Sequence, residues 1–248
     1  MSWKFALATL AAALVAWLVT PDLVQPARLL TVFLLSFFPA LLLAQGQMAQ
    51  EVPAEMPRST VYLSSSLGLW ALAGITYAAA RASGFSLESV GLVMLPPVPL
   101  LLWSLAATLA GLAILVAGRA LRLRETPLLE YILPRTVGEK VAFVGVSITA
   151  GVCEELVFRG FLIPAASVAF GSIGLAVLLS SAVFGLLHAY QGVIGIVRTG
   201  ILGFLLVIPL LATGSLLPSI LAHTALDVIV GLWLADGLLR RQPRPASL

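Results

Sequence analysis

Cys153 to Arg159 read C-E-E-L-V-F-R, which places two adjacent carboxylates, Glu154 and Glu155, and the Arg159 guanidinium inside an otherwise apolar run. A charge at the bilayer midplane costs roughly 2.5–3.5 kcal/mol even on lenient insertion scales, so ionisable groups inside a membrane mark a functional site by default. The chain's two histidines, His188 and His223, lie in later apolar segments of the same kind. Carboxylates and imidazoles are the side chains of general acid–base catalysis, of cation binding and of proton relays.

Residues four apart share a helix face, which pairs Glu155 with Arg159, Phe184 with His188, and His223 with Asp227. Three helices can therefore aim polar groups at one point. On an α-helix Glu154 is rotated about 100° from Glu155, so the two carboxylates are expected to divide the work. Glu155 takes Arg159 as an ion pair and Glu154 faces a shared cavity. Four ionised groups left separately in hydrocarbon would cost on the order of 10 kcal/mol. Glu154, His188, His223 and Asp227 are accordingly expected to converge on one polar cavity among the last four helices.

Each element also has a plainer reading. A lone buried histidine is often a satisfied structural donor, and Asp227 can orient His223 by accepting its ring proton. Phe184 can be simple packing. Cys153 as a nucleophile is disfavoured, because apolar surroundings oppose the thiolate and a buried cysteine is usually a small hydrophobe. With neutral histidines, the three carboxylates Glu154, Glu155 and Asp227 against the single cation Arg159 leave a formal charge of minus two. Either a carboxylate holds a proton or a cation completes the site. A divalent metal such as zinc, with Glu154, His188, His223 and Asp227 as its ligands, fits these residue types. The H-E-x-x-H signature of soluble zinc proteases is absent.

The elements that must carry these groups are membrane helices. With 60% hydrophobic and 10% charged residues and a mean hydropathy of +1.07, the chain cannot present a wet surface on all sides, since soluble domains run near 25% charged. The net charge of +3 is explained by membrane topology and gives no support to a nucleic-acid partner. One cysteine excludes an internal disulfide. Eight apolar segments are long enough, or nearly so, to span as helices: about 5–20, 28–45, 60–80, 92–117, 140–163, 172–190, 193–212 and 215–236. They are separated by Pro21 with Asp22, by polar runs at 45–60, 81–89 and 118–140, and by Gly171, Gly192 and Gly214. The expected fold class is all-α, a polytopic membrane bundle of about eight helices.

An even number of spans puts both ends on one side. Lys4, Arg58, Arg119, Arg122, Arg124, Arg135, Lys140, Arg240, Arg241 and Arg244 then face Arg28 and Arg81 across the bilayer. That asymmetry predicts cytoplasmic termini, and Arg198 can snorkel to the same face. Lys4 and the apolar run after it lack a small-residue cleavage site, so they read as a first transmembrane helix rather than a signal peptide. Thr126 to Arg135, between Pro127 and Pro134, suits a short interfacial helix with its arginines against anionic headgroups. The depths disagree: Glu154 lies about 21 Å along its helix from Lys140, whereas His188 falls near the cytoplasmic end of its span. The cavity is expected to open toward the cytoplasm.

The series E-E-x-x-x-R (Glu154, Glu155, Arg159), F-x-x-x-H (Phe184, His188) and H-x-x-x-D (His223, Asp227), in that order on late helices, resembles the CPBP family of intramembrane proteases. That family includes the type II CAAX prenyl endopeptidases and the bacterial Abi proteins of bacteriocin processing and immunity. The resemblance implies a catalytic core at 135–240, preceded by accessory helices and the interfacial segment at 1–134 and followed by a tail at 241–248. It implies hydrolysis of a peptide bond by a water activated by Glu154 and His188, with His223 and Asp227 as an oxyanion or metal site and Glu155 beside them. Arg159 and Phe184 are support. The prenyl endopeptidases carry asparagine at the position of Asp227, and an ionised aspartate cannot donate to an oxyanion. Asp227 is therefore protonated, binds a metal, or orients His223. The implied partners are the lipid bilayer and a hydrophobic or lipidated protein or peptide substrate; oligomeric state is left open. The competing class is a non-catalytic membrane binding protein or a small ion- or proton-coupled transporter built on the same acidic cluster.

Overall fold

The computed structural model describes residues 3–48, 56–120 and 132–234. Among them are eight helices and no strand: α1 Trp3–Leu18, α2 Gln25–Ala44, α3 Arg58–Ala82, α4 Pro97–Gly118, α5 Val137–Phe170, α6 Ile173–Leu187, α7 Ala189–Thr213 and α8 Leu217–Trp233. The chain is an all-α integral membrane protein. Helices α2, α3, α4, α5 and α7 are long and apolar enough to cross a membrane, whereas α1, α6 and α8 are shorter. The expected interfacial helix at Thr126 to Arg135 lies mainly outside the described residues, as do Arg122, Arg124, Arg240, Arg241 and Arg244.

The helices are apolar all round, so large hydrophobes such as Trp70, Leu102, Leu105 and Leu109 face outward, as suits a lipid solvent. Burial also takes in polar groups, among them Thr31, Thr76, Ser147, Ser180, Ser219, Glu155, Arg159 and His223. One apolar core joins Leu30 and Leu34 of α2 and Ala80 of α3 to Val157, Phe158 and Phe161 of α5 and Phe184 of α6. The N-terminal helices thus buttress the segment that carries the acidic pair.

Two of the prolines inside long helices, Pro39 and Pro164, each follow a widened stretch. Helix α2 has π geometry over Phe33–Phe37, just before Pro39, and α5 has it over Glu155–Leu162, just before Pro164. A helical proline removes a hydrogen bond and clashes with the carbonyl four residues back, here Leu35 and Gly160, both inside the widened stretch. The i→i+5 pattern relieves that clash, and the helix passes through. The expected span of 140–163 is therefore too short. Helix α5 runs for 34 residues, Val137–Phe170, about 51 Å at 1.5 Å per residue. Its start is fixed by a capping box between Thr136 and Glu139, and Glu139 also meets Arg58 of α3 at 3.6 Å. Gly171, left-handed at φ 62°, ends it.

Helices α6 and α7 cross at glycine. A Cβ at Gly185 would lie 2.5 Å from the Ile196 carbonyl oxygen and 3.1 Å from the Gly200 backbone, the close approach that small residues permit between membrane helices. Gly185→Ala is expected to cost about 1–3 kcal/mol and to lower the thermal midpoint in detergent. Gly68→Ala, where a Cβ meets open space, should not lower it. Equal midpoints for both variants would count against the packing described.

Candidate active site

Glu155 and Arg159 are fully buried in the π stretch of α5. Glu155 Oε1 is ion-paired with Arg159 Nη1 at 3.2 Å and accepts from His223 Nδ1 on α8 at 2.8 Å. Glu155 is therefore more than the partner of Arg159: it orients His223, a role the sequence offered to Asp227. Arg159 also donates to the Gly203 carbonyl of α7 at 3.1 Å and stacks over the Phe184 ring of α6 at 4.1 Å. One guanidinium ties α5 to α6 and α7, and its carboxylate partner ties α5 to α8.

With Nδ1 of His223 committed to Glu155, its Nε2 faces two further carboxylates, Glu154 Oε2 and Asp227 Oδ2, each at 3.8 Å. A neutral imidazole has one N–H, whereas carboxylates at both ring nitrogens are satisfied by an imidazolium with two. His188 ends α6, and its Nδ1 lies 2.9 Å from the Phe184 carbonyl oxygen. A carbonyl only accepts, so Nδ1 carries the hydrogen and Nε2 presents a lone pair. Phe184 is the hub beneath both imidazoles, 5.0 Å from the His188 ring and edge-on to His223 at 5.9 Å.

The depth conflict disappears with the true length of α5. Sixteen residues separate Glu154 from Phe170, and sixteen separate Ser172 from His188. Counted from the Gly171 turn, both groups lie about 24 Å down the hairpin. Side-chain exposure rises from 0% at Glu155 to 17% at Glu154 and 40% at Asp227, so the cluster is sealed at its Glu155 end and open at its Asp227 end. Cys153 is fully buried.

As metal ligands, Glu154, His188, His223 and Asp227 do not assemble. Among the described residues no group of three or more His, Cys, Asp or Glu side chains is arranged to hold a metal ion. The carboxylates of Glu154 and Asp227 each face His223 Nε2 at 3.8 Å, and no step below is routed through a metal.

One polar group beside the site went unread in the sequence. After His188 the chain makes a single 3-10 turn, Ala189–Gln191, before α7 continues. Arg198 Nη2 donates to Gln191 Oε1 at 2.8 Å, Gln191 Nε2 donates to the Tyr190 hydroxyl at 2.9 Å, and the Tyr190 ring lies 5.9 Å from that of His188. No helical spacing ties Tyr190 to His188, because the turn that brings them together is not α-helical. Arg198, expected to snorkel, donates to Gln191.

Residues 136–229 match the family model described as type II CAAX prenyl endopeptidase Rce1-like. The match contains every side chain of the cluster. No curated protein and no solved structure matches the chain.

Proposed function

We propose that this chain, which matches the type II CAAX prenyl endopeptidase Rce1-like family model over residues 136–229, is an intramembrane endopeptidase of the CPBP/CAAX protease kind, cutting a peptide bond in a membrane-associated or hydrophobic-tailed protein or peptide. The observation that carries the reading is the pair of carboxylates aimed at His223 Nε2, with Glu155 fixing the ring from behind. A bound water gives a proton to Glu154, with His188 Nε2 as the second acceptor that aligns it, and attacks the carbonyl carbon. The carbonyl electron pair moves onto oxygen, where the Nε2 hydrogen of His223 stabilises it. Collapse expels the amine, which takes the proton from Glu154. Asp227, ionised and accepting only, holds His223 charged. Glu155 positions that ring, and Arg159 with Phe184 holds Glu155.

Residues 135–240 form the catalytic core in this reading, with 1–134 as accessory helices and 241–248 as a tail. The protein sits in the cytoplasmic membrane with both termini in the cytoplasm. Helix α8 then runs inward, which turns the exposed Asp227 end of the cluster toward the cytoplasm. A lipidated tail would approach from the bilayer side of the same opening.

The test is a quenched fluorescent peptide bearing a farnesylated C-terminal CAAX sequence, offered to the purified protein in detergent with and without 1,10-phenanthroline. Cleavage that survives the chelator is expected, since the donor set does not fit a metal. Cleavage abolished by chelator and restored by zinc would replace the glutamate mechanism with a metal one. Saturable binding of the peptide without cleavage would favour a binding protein or transporter.

A further inference from the structure

The proposed chemistry is short of donors. Ionised Glu154, Glu155 and Asp227 only accept, His188 offers a lone pair, and Arg159 is buried, ion-paired with Glu155, bonded to Gly203 and stacked on Phe184. Amide hydrolysis places a full negative charge on the former carbonyl oxygen, and such sites supply preorganised N–H or O–H groups for it. His223 Nε2 supplies one. The turn after His188 supplies a second from outside the three recognised motifs.

Its hydrogen bonds run in one direction. The guanidinium of Arg198 donates to the oxygen of the Gln191 amide, and the nitrogen of that amide donates to the Tyr190 oxygen. Each donation polarises the next group, so the charge of Arg198 is relayed to the phenol and strengthens its O–H as a donor. Gly195 makes room for this arrangement: a Cβ there would collide with the Gln191 side chain. Tyr190 shares the turn with His188, their rings 5.9 Å apart. It is half-buried, as Gln191 and Arg198 are.

We propose that Tyr190 is a further catalytic residue, whose hydroxyl donates a hydrogen bond to the oxyanion, and that Gln191 and Arg198 are positioning residues that polarise it. The assignment rests on the hydrolase reading above. As Glu154 takes the proton of water and the new C–O bond forms, the carbonyl π pair becomes the oxyanion lone pair. The Tyr190 hydrogen turns toward it without being transferred. On collapse that pair re-forms the carbonyl, the C–N bond breaks, and the amine leaves with the proton held by Glu154.

The test compares Tyr190→Phe, Arg198→Lys and Arg198→Ala with the parent in the peptide assay, with kcat and KM separated. Tyr190→Phe keeps the ring, and loss of one oxyanion donor should lower kcat about 10²–10³-fold with KM within about threefold. Arg198→Ala should lower kcat about tenfold, partly restored in Arg198→Lys. A peptide phosphonamidate, which mimics the tetrahedral oxyanion, should bind Tyr190→Phe more weakly than the parent by a factor close to the kcat loss, while uncleaved substrate binds both alike. Tyr190→Phe turning over within about threefold of the parent, while Glu154→Gln is inactive, would overturn the role of Tyr190 and leave the hydrolase standing. A kcat loss with unchanged phosphonamidate affinity would likewise overturn it, and a parent that neither cleaves peptide nor binds phosphonamidate would overturn both.

Discussion

Glu154→Gln is expected to retain the fold and bind substrate while its turnover falls by about 10²–10⁴-fold, the contribution usual for a positioned general base. The amide has nearly the shape of the carboxylate, but it cannot take a proton from water at neutral pH. Glu154 is only 17% exposed and meets His223 Nε2 at 3.8 Å, so the amide can occupy the same volume without rearranging α5 or α8. The measurement is kcat from the peptide assay beside substrate binding by fluorescence polarisation, both on protein whose melting matches the parent. Parental turnover in Glu154→Gln would remove this carboxylate from the mechanism. Lost binding with preserved folding would make Glu154 a ligand-holding group and return the chain to the binding-protein class.

The sequence carried the skeleton of this site because helices make spacing legible. Four-residue intervals joined Glu155 to Arg159 and His223 to Asp227, and the cost of stray charges in hydrocarbon drew the separate helices together. Three features escaped for physical reasons. The π stretch at Glu155–Leu162 breaks the 3.6-residue period on which face assignments depend, so the reach of Glu155 to His223 was hidden even though its split from Glu154 was anticipated. Periodicity also cannot see through Pro164, and α5 was ended seven residues early, which created a depth conflict between Glu154 and His188 that the molecule does not have. Tyr190 follows His188 in a 3-10 turn, where no face rule applies. The eight apolar segments, by contrast, each match a helix, because membrane burial is written in composition rather than in register.

Arg159→Ala should be the most damaging single change to folding. It strands Glu155, 0% exposed, without its cation, and breaking a buried pair typically costs about 3–5 kcal/mol. It also removes the Gly203 hydrogen bond and the stacking on Phe184, so one tie of α5 to α6 and one to α7 are lost together. Arg159→Lys retains the charge without the planar fork that serves three partners at once, and should fall between the two. Replacing both members, as in Glu155→Leu with Arg159→Met, removes the uncompensated charge, and such apolar exchanges are often neutral for stability. The double variant is therefore expected to accumulate in membranes and melt closer to the parent than Arg159→Ala does. Its turnover should stay low, because His223 Nδ1 no longer has the carboxylate that orients its ring. Accumulation and thermal midpoint report the ion pair, and kcat reports the imidazole it positions. Parental melting of Arg159→Ala would deny the pair its structural role, and full activity in the double variant would deny Glu155 its part in setting His223.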